Sequence, residues 1–401
     1  MSSVARPHPA APAGATSAGH GLAVLLLAIS AFVIVTTEFI IVGLLPSLSR
    51  DLGISISTAG QLVTLFAFTV MLAGPFLTAM LSHFDRKRLF VVILVIFAGA
   101  NALAAAAPDI WILGFARFLP ALALPVFWGT ASETAGELAG PEKAGKAVAN
   151  VYLGISGAMV LGIPLGTLAS TAFGWRGTFW GLSGLSLLMA VLLFLVMPTL
   201  AKPARVKLGE QARILKDPYF LGNVVLSVIV FTAMFTAYTY LADMLEQIAG
   251  IPSGQVGWWL MGFGIVGLAG NWLGGQFVGR GPLMVTAIAA LVLAVGMAAT
   301  TLVAGSPLWL AVALAVWGIA NTALYPICQV RVMQSASHAQ ALAGTLNVSM
   351  ANAGIGLGAI IGGSVILHLG LASVGYVAAG IALLAAVFTL LVARLKARSD
   401  A

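Results

Sequence analysis

Long apolar stretches alternate with short polar segments along the whole chain, and this pattern predicts membrane-spanning helices. Each stretch has about the 20 residues that a helix needs to cross a bilayer. Pro, Gly, Ser and charged residues fill the gaps between them, as turns require. The predicted spans, numbered 1 to 12 in chain order, are 22–45, 57–81, 88–107, 110–135, 147–171, 177–197, 219–243, 256–279, 282–304, 308–331, 340–368 and 371–393.

The composition agrees with a membrane protein and excludes several other classes. The 401 residues are 60% apolar and only 8% charged, whereas soluble domains carry about 25% charged residues. So few charges could not cover a soluble protein of this size, and so apolar a chain is not disordered. The continuous apolar runs also differ from the alternating strands of an outer-membrane barrel. The single cysteine, Cys328, excludes a disulfide framework.

The Lys and Arg residues predict the orientation of the chain in the membrane, because cytoplasmic loops carry an excess of them. With a cytoplasmic N-terminus, all but three of the 19 fall on the cytoplasmic side. Arg50 and Arg176 then lie outside, and Arg117 lies within span 4. We therefore expect a multi-pass protein of the cell (inner) membrane with both termini cytoplasmic. The net charge of +7 comes from short gaps between spans, so the bilayer, and not nucleic acid, is the expected partner.

The N-terminal segment 1–21 is rich in Ala, Pro, Gly and Ser and predicts a disordered cytoplasmic tail. The apolar run that follows is longer than the core of a cleaved signal peptide, so we expect a permanent first span. The predicted organisation continues with an N-terminal bundle over 22–198, a cytoplasmic linker over 199–218, a C-terminal bundle over 219–394 and a cytoplasmic tail over 395–401.

An internal repeat predicts that the two bundles are copies of one unit. Several glycines in the first half recur 196 or 197 residues later. Because an even number of spans separates the copies, both have the same orientation. The predicted fold is therefore all-α, with twelve spans in two parallel-repeat six-helix bundles. The matching pairs are Gly53 with Gly250, Gly60 with Gly257, Gly162 with Gly358, and Gly166 with Gly362.

Two ionisable residues inside the predicted spans are the main functional candidates, because charge is costly within the bilayer. Glu38 lies eight residues before Pro46, and Arg117 lies eight residues after Asp109. Both should therefore lie about 12 Å inside the outer boundary, where they can pair directly. We expect Glu38 to bind and release a proton and Arg117 to bias that protonation. The alternatives are a permanent ion pair and an arginine that orients an anionic or hydroxylated ligand.

Three further charges lie near the ends of spans, where charge costs little. We expect Glu133 to be interfacial, Asp243 to be close to water, and Arg331 to be an anchor that extends to the cytoplasmic surface.

Polar residues in the middle of spans usually face the interior of a bundle, and they are the substrate-binding candidates. Tyr and Trp combine apolar area with one hydrogen bond, which suits neutral amphipathic substrates. Hydrogen bonding between helices is the alternative role for any one of them. The candidates are Gln61, Thr64, Asn101, Trp128 and Asn150 in the first half, and Tyr238, Tyr240, Asn271, Asn321, Tyr325, Gln329, Asn347 and Asn352 in the second.

Several kinds of chemistry have no signature in the sequence. No phosphate-binding loop of the Walker type supports ATP-driven pumping. The five histidines have no metal-ligand spacing with Cys328 or with carboxylates, so no metal site is expected. Clustered catalytic groups are also missing, so the chain is not expected to be an enzyme. No cofactor is expected, and the proton gradient would supply the energy.

Specific motifs resemble those of a known family. The residues on which the resemblance rests are the Thr37-Glu38-Phe39 segment with Gly43 to Pro46 in span 1, Arg117 in span 4, the Arg86-Lys87-Arg88 cluster, the Gly162-Ile163-Pro164-Leu165-Gly166-Thr167 string in span 5, and Gly174-Trp175-Arg176 with Thr178-Phe179 after it. From about 22 to 395 the chain resembles twelve-span major facilitator superfamily transporters of the drug/proton antiporter branch. The greatest similarity is to the arabinose and sugar efflux permease group. Gly162, Pro164 and Gly166 correspond to the antiporter motif of span 5, and the basic cluster to a conformational motif.

The resemblance implies a secondary active transporter that exports a small organic molecule, such as a sugar or drug, in exchange for protons. The two halves would rock around a central site, and the protein is expected to work as a monomer. A proton-coupled importer on the same fold is the first alternative, because the Glu38 and Arg117 positions do not distinguish direction. A membrane sensor or channel that does not transport is the second.

Overall fold

The computed structural model describes residues 17–81, 83–140, 142–200, 211–336 and 339–399, and their regular secondary structure is entirely helical. Helices are expected here because lipid cannot hydrogen-bond to the backbone. The α-helices are α1 Ser17–Leu52, α2 Ile56–Leu81, α3 Arg86–Ala105, α4 Ile110–Ala139, α5 Ala144–Gly157, α6 Ile163–Val196, α7 Pro218–Tyr238, α8 Leu241–Asp243, α9 Ser253–Phe277, α10 Pro282–Leu302, α11 Pro307–Gln334, α12 Gln340–Leu369 and α13 Val374–Ser399.

The helices agree with the twelve predicted spans. Eleven apolar helical stretches in the described part of the chain are long enough to cross a membrane. One of them, Lys146–Val196, has 51 residues, more than twice the length of one crossing. Within it Gly174 has a φ of 73° and a ψ of 163°, which is not helical. Spans 5 and 6 therefore meet at this glycine, and the start of α6 completes span 5.

Both terminal tails are shorter in the structure than predicted. Helix α1 begins at Ser17, inside the predicted N-terminal tail, and α13 continues to Ser399. The helices of spans 1 and 12 therefore continue beyond their apolar residues, because a helix that has already formed adds further residues readily. The rest of both tails, 1–16 and 400–401, and most of the predicted linker, 201–210, lie outside the described residues.

The sequence repeat is also a repeat of packing. A Cβ added to Gly162 would collide with Thr36, and one added to Gly358 would meet the backbone of Thr232. Each residue of the second contact follows its counterpart by 196 positions. The same holds for Gly166 against Ile40 and Gly362 against Thr236. Small residues let these helix pairs approach closely in both halves, so the two bundles are copies of one packing arrangement.

The two halves, α1–α6 and α7–α13, contact each other along two seams. Helix α2 packs on α12, and α9 packs on the start of α6 and the turn before it. We call the end of the bundle near Gly53 and Gly250 the outer face and the opposite end the inner face, following the predicted orientation. At the outer face Arg50 on α1 forms an ion pair with Glu246, with 2.5 Å between Nη1 and Oε1.

The seam between α6 and α9 opens toward the inner face. At the outer end Gly257 approaches Leu168, and near the middle of α9 Gly264 approaches the backbone of Met159. Further inward Gly270 and Gly274 pack against α11 instead, at Ile319 and Ala323. Along this seam the halves therefore meet toward the outer face and separate toward the inner face.

Candidate functional site

Arg117 on α4 is buried and is bonded to the backbone of α1. Only 1% of the residue is exposed. Its Nη2 donates to the carbonyl oxygen of Glu38 at 2.6 Å, and its Nη1 donates to the carbonyl oxygen of Thr37. The guanidinium also lies 4.5 Å from the ring centre of Phe66. The buried cation is thus stabilised by carbonyl dipoles and an aromatic face, and it joins α4 to α1.

Glu38 is close to Arg117, but the predicted direct pair between their side chains is absent. None of the ion pairs among the described residues includes the Glu38 carboxylate, and it has no hydrogen bond there. The residue is only partly buried. It interacts electrostatically with Arg117 in its own half and with Tyr325 in the other. The carboxylate is therefore free to bind a proton or a ligand at the junction of the halves.

Asn101 contributes to this cluster as a link between helices. Its Nδ2 donates to the Thr37 hydroxyl at 3.2 Å, and both residues are almost fully buried. Asn101 thus holds α3 against the same turn of α1 that Arg117 holds. Asn101 was predicted to bind substrate, and Thr37 was named only as part of a family motif. Their contact could not be predicted, because nothing in the sequence shows which turns of two helices meet.

Aromatic side chains of the C-terminal half face this part of α1. Phe39 and Phe235 have ring centres 5.8 Å apart across the two halves. Phe235 in turn contacts Tyr238, at 5.5 Å in an edge-to-face arrangement, and Phe231 contacts Tyr325 at 5.2 Å. Tyr238 and Tyr325 are therefore placed beside the Glu38 region, in a largely apolar wall that carries hydroxyl groups.

Amide side chains on α11 and α12 continue the C-terminal side of the site toward the inner face. Asn321, Tyr325 and Gln329 follow each other at four-residue intervals and so share one face of α11. Asn347 donates to the Gln329 side chain at 2.7 Å. The side-chain amide oxygens of Asn321, Asn347 and Asn352 are buried and accept no hydrogen bond from the described part of the chain. These oxygens could accept hydrogen bonds from a ligand with hydroxyl groups.

Other predicted substrate-binding residues lie away from this cluster. The Tyr240 hydroxyl donates to the carbonyl oxygen of Ala359 at 2.7 Å, and the Thr64 hydroxyl donates to that of Gly356 at 3.3 Å. Both residues thus join helices at the seam with α12. Gln61 is exposed and lies beside Thr64 in a shallow apolar groove between α2 and α4.

The remaining three candidates are on the periphery as well. Trp128 stacks on Tyr152, with ring centres 6.2 Å apart, where α4 meets α5 toward the inner face. Asn150 is half-buried on the neighbouring turn of α5, and Asn271 is exposed on α9. The structure does not bring them to Glu38.

The basic cluster at the start of α3 forms an ion pair with α4. Arg86 is 2% exposed, and its Nη2 lies 2.6 Å from an Oε2 of Glu133. Lys87 lies over the Phe194 ring at 5.2 Å, and the backbone N–H of Arg88 is capped by the Asp85 side chain. Glu133 is therefore more than an interfacial charge, because it pairs with a buried arginine that links α3 to α4.

Two predictions about charges at span ends were wrong. Asp243 was expected close to water, but it is fully buried, and neither carboxylate oxygen has a hydrogen-bond partner. Arg331 was expected to extend to the surface, but it is 1% exposed. It donates to the hydroxyls of Thr286 and Ser227, both at 2.9 Å. Position within one span does not show which neighbouring helices cover its end, and this is why the sequence was misleading.

The motif of span 5 produces a local change of helix type. Residues Ala158–Gly162 form a π-helical turn directly before Pro164. Proline has no N–H to continue the α-helical pattern, and such turns commonly mark functional positions. Gly162 and Gly166 then let this part of the helix lie against α1.

The residues after Gly174 hold the outer face of the N-terminal half together. The Trp175 indole donates to the Asp51 carboxylate at 2.9 Å, and Arg176 pairs with the same carboxylate. Arg176 also donates to the carbonyl oxygen of Ala107 at 3.1 Å. The motif thus joins the outer ends of α1, α3 and α6.

These features define a class of protein. Two parallel six-helix repeats surround a polar and aromatic cluster at about mid-depth, and the seam between α6 and α9 is closed toward the outer face and open toward the inner face. This is the architecture of secondary transporters, which hold a central site near the bilayer midplane between repeats.

Comparisons with known proteins identify the family. The family model described as Major Facilitator Superfamily matches residues 27–350 and 244–400, and the chain belongs to this superfamily of transporters. It is 36% identical to the inner membrane transport protein YdhP of Escherichia coli O157:H7, over 90% of this chain and 94% of that protein. It is 30% identical to a probable sugar efflux transporter of Helicobacter pylori strain G27, over 90% and 93%.

Solved structures show the same fold. A bacterial homologue of the human lysosomal transporter Spinster, in an inward-facing and occupied conformation, matches with a TM-score of 0.76 at 15% identity, covering 95% of this chain and 98% of that one. A D-xylose-proton symporter matches with a TM-score of 0.74 at 16% identity, covering 91% and 96%. Because it belongs to the Major Facilitator Superfamily, the chain is a multi-pass membrane transporter and not an enzyme.

Proposed function

We propose that this transporter exports a small organic molecule, such as a sugar, in exchange for protons. The observation that carries the proposal is the state of Glu38, a carboxylate inside the bundle that has no ion pair or hydrogen bond among the described residues. Its neighbour Arg117 uses two of its N–H groups on backbone carbonyls. Glu38 is thus available for protonation, while Arg117 keeps a fixed positive charge beside it.

The coupling follows from the cost of burying charge. An ionised carboxylate is expensive in a closed bundle unless it is paired, and protonation removes that cost. Glu38 would take up a proton from the outside when the site faces outward and release it to the cytoplasm when the site faces inward. Arg117 would favour release of the proton in the inward-open state, because a nearby cation stabilises the carboxylate.

The substrate class is inferred from the C-terminal wall. Tyr238, Tyr325 and the unbonded amide oxygens of Asn321 and Asn347 offer ring faces and hydrogen-bonding groups without charge. Such a lining suits a neutral molecule with hydroxyl groups and apolar edges, as sugars have. The Helicobacter pylori relative described as a probable sugar efflux transporter supports this class and the export direction.

We also propose that the protein acts as a monomer in the cell (inner) membrane, with both termini cytoplasmic. The excess of Lys and Arg on one side supports the orientation. The halves defined above, with boundaries near 22–198 and 219–394, would be the two bodies that rock. A symporter that imports its substrate uses the same groups, and the direction of proton flow distinguishes it from the exporter.

The test uses purified protein in liposomes with an imposed pH gradient and a lumenal pH dye. A panel of sugars, antibiotics and nucleosides is added to the wild type, to Glu38→Gln and to Glu137→Gln. Glu137 is an exposed carboxylate on α4 and serves as the matched control. We expect substrate-evoked proton movement in the wild type and in Glu137→Gln, and none in Glu38→Gln.

Substrate exchange without a pH gradient completes the experiment. Glu38→Gln should still exchange labelled substrate across the membrane, because its neutral side chain imitates the protonated state. Equal proton movement in wild type and Glu38→Gln would show that Glu38 is not the coupling group. Proton movement in the same direction as the substrate would show that the protein is a symporter.

A further inference from the structure

Asp243 is a buried carboxylate that the proposed coupling scheme does not use. It ends the short helix α8 at the outer end of span 7 and is 0% exposed. Both of its carboxylate oxygens are buried without a hydrogen-bond partner among the residues that the structure describes, and so is the hydroxyl of nearby Thr239. An ionised carboxylate in this position would have neither an ion pair nor a hydrogen bond among the described residues to offset the cost of its burial.

The charged and titratable groups around Asp243 do not neutralise it. Glu246, on the following turn, repels it, and Arg50 on α1 attracts it from a distance, without an ion pair. Tyr240, on the preceding turn, donates its hydroxyl hydrogen to the carbonyl oxygen of Ala359. Asp51, at the end of α1, is held by Arg176 and Trp175. Leu371–Ser373, which packs on the Met244–Ile248 turn, contains no titratable side chain.

Asp243 lies one turn before Glu246, whose ion pair with Arg50 joins the two halves at the outer face. Arg50 and Glu246 are separated by 196 residues, the offset of the internal repeat. They are therefore equivalent positions in the two halves, and equivalent positions meet only close to the axis that relates the copies. Asp243 precedes Glu246 by one turn, and α8 packs on α1. The carboxylate is thus enclosed by the contact that closes the outer face.

We propose that Asp243 is a second proton-binding site, built into the contact between α1 and α8 that closes the outer face. In the closed state the carboxyl group holds a proton and is neutral. When the outer ends of α1 and α8 separate, external water reaches the carboxyl group, and the proton leaves to the external solution. Closure takes one proton back from the same side. The proton therefore does not cross the membrane, and its binding makes the outer closure depend on external pH.

This inference rests on alternating exposure of the site, but not on Glu38 or on the identity of the substrate. External acid should favour the closed outer face. For one titrating group the ratio of closed to open molecules can rise at most about tenfold for each pH unit of acidification. The response should disappear when residue 243 can no longer lose a proton.

The experiment measures the distance between the halves at the outer face. Spin labels are placed on Ala106→Cys and Gly305→Cys, two exposed outer-face positions in opposite halves. The native Cys328 is buried and should not react. Distances are measured by double electron–electron resonance in lipid nanodiscs over a pH series. A Glu38→Gln background removes any contribution from the first proton site.

Three proteins are compared in that background. The reference should shift to shorter outer distances as pH falls. Asp243→Asn should stay in the short-distance population at every pH. Asp51→Asn, which removes another carboxylate of the outer face, should keep the pH response of the reference. Asp243→Ser replaces the asparagine variant if that variant does not fold.

Several outcomes would overturn the proposal. A reference protein whose distances do not change with pH would overturn it without any variant. A full pH response in the neutral variant of Asp243 would show that another group titrates. Loss of the pH response in Asp51→Asn as well would show that the response depends on the outer-face carboxylates in general and not on Asp243. Because no substrate is present, failure of the export proposal would leave these results unchanged.

Discussion

Substitution of Gly358 by alanine tests the close packing of α7 and α12. A Cβ at this position would lie 2.7 Å from the carbonyl oxygen of Thr232, 2.8 Å from the nitrogen of Thr236 and 2.9 Å from the carbonyl carbon of Phe235. All three atoms belong to the backbone, so no rotamer change can relieve the contacts, and the two helices must move apart. Overpacking of this kind costs about 1–3 kcal/mol.

The repeat supplies a related variant with a smaller expected effect. Gly162 occupies the equivalent position in the N-terminal half, but the atoms that an added Cβ would meet belong to the Thr36 side chain. Rotation of that side chain can move its hydroxyl away, and the remaining contact with its Cβ at 3.0 Å needs only a small shift, so the cost should be smaller than at Gly358. Gly184→Ala is the control, because no atom lies within 4 Å of an added Cβ there. Replacing a helical glycine without a clash should stabilise the protein by about 0.5–1 kcal/mol.

The assay is reversible unfolding by sodium dodecyl sulfate titration of purified protein in mixed micelles. The expected order of unfolding free energies has Gly184→Ala highest and Gly358→Ala lowest, with wild type and Gly162→Ala between them, because at Gly162 the gain from replacing a helical glycine offsets the small steric cost. If Gly358→Ala is as stable as Gly184→Ala, then the seam between α7 and α12 is looser than the structure indicates, and the argument from backbone contacts is wrong.

Two further substitutions test hydrogen bonds at the site and at the seam. Arg117→Lys cannot bond two carbonyls in a fixed geometry, so we expect a loss of about 1.5–3 kcal/mol in unfolding free energy together with lower transport. Wild-type stability in this variant would contradict the role of Arg117 in joining α4 to α1. Tyr240→Phe removes the hydrogen bond to the carbonyl oxygen of Ala359 and should cost about 0.5–1.5 kcal/mol, the net value of one hydrogen bond. Thr58→Ala, in the exposed first turn of α2, removes only a solvent-exposed hydrogen bond with Ser55; it is the comparison and should change stability little.

Much of the candidate site follows from the cost of charge in the membrane. Glu38 and Arg117 were identifiable because ionisable residues inside apolar runs are rare and functional. Their equal depth was also predictable from the helical rise. The direct ion pair was not observed, because the Arg117 side chain bonds to carbonyls that every residue carries. A sequence pattern contains no information on which backbone oxygens of a neighbouring helix are accessible.

The predicted substrate-binding residues fall into two groups, one at the site and one between helices, for a related reason. Tyr325 and Tyr238 lie beside Glu38, whereas Tyr240, two residues after Tyr238, joins α8 to α12. Both tyrosines look alike in sequence, since each is a polar aromatic residue near the end of the same span. Only the rotation of that helix relative to its neighbours separates a wall of the site from a contact between helices.

The sequence by itself determined the membrane location, the twelve spans, the internal repeat and the two most informative charges. These properties depend on local composition, on spacing along one helix, and on the cost of placing charge in lipid. The tertiary structure decided which helices cover Asp243 and Arg331, which atoms meet at Gly358, and that Arg50 and Glu246 come together at the outer face. Those properties depend on how separate helices approach and rotate against each other, and residues close in space there are often about 200 positions apart in the chain.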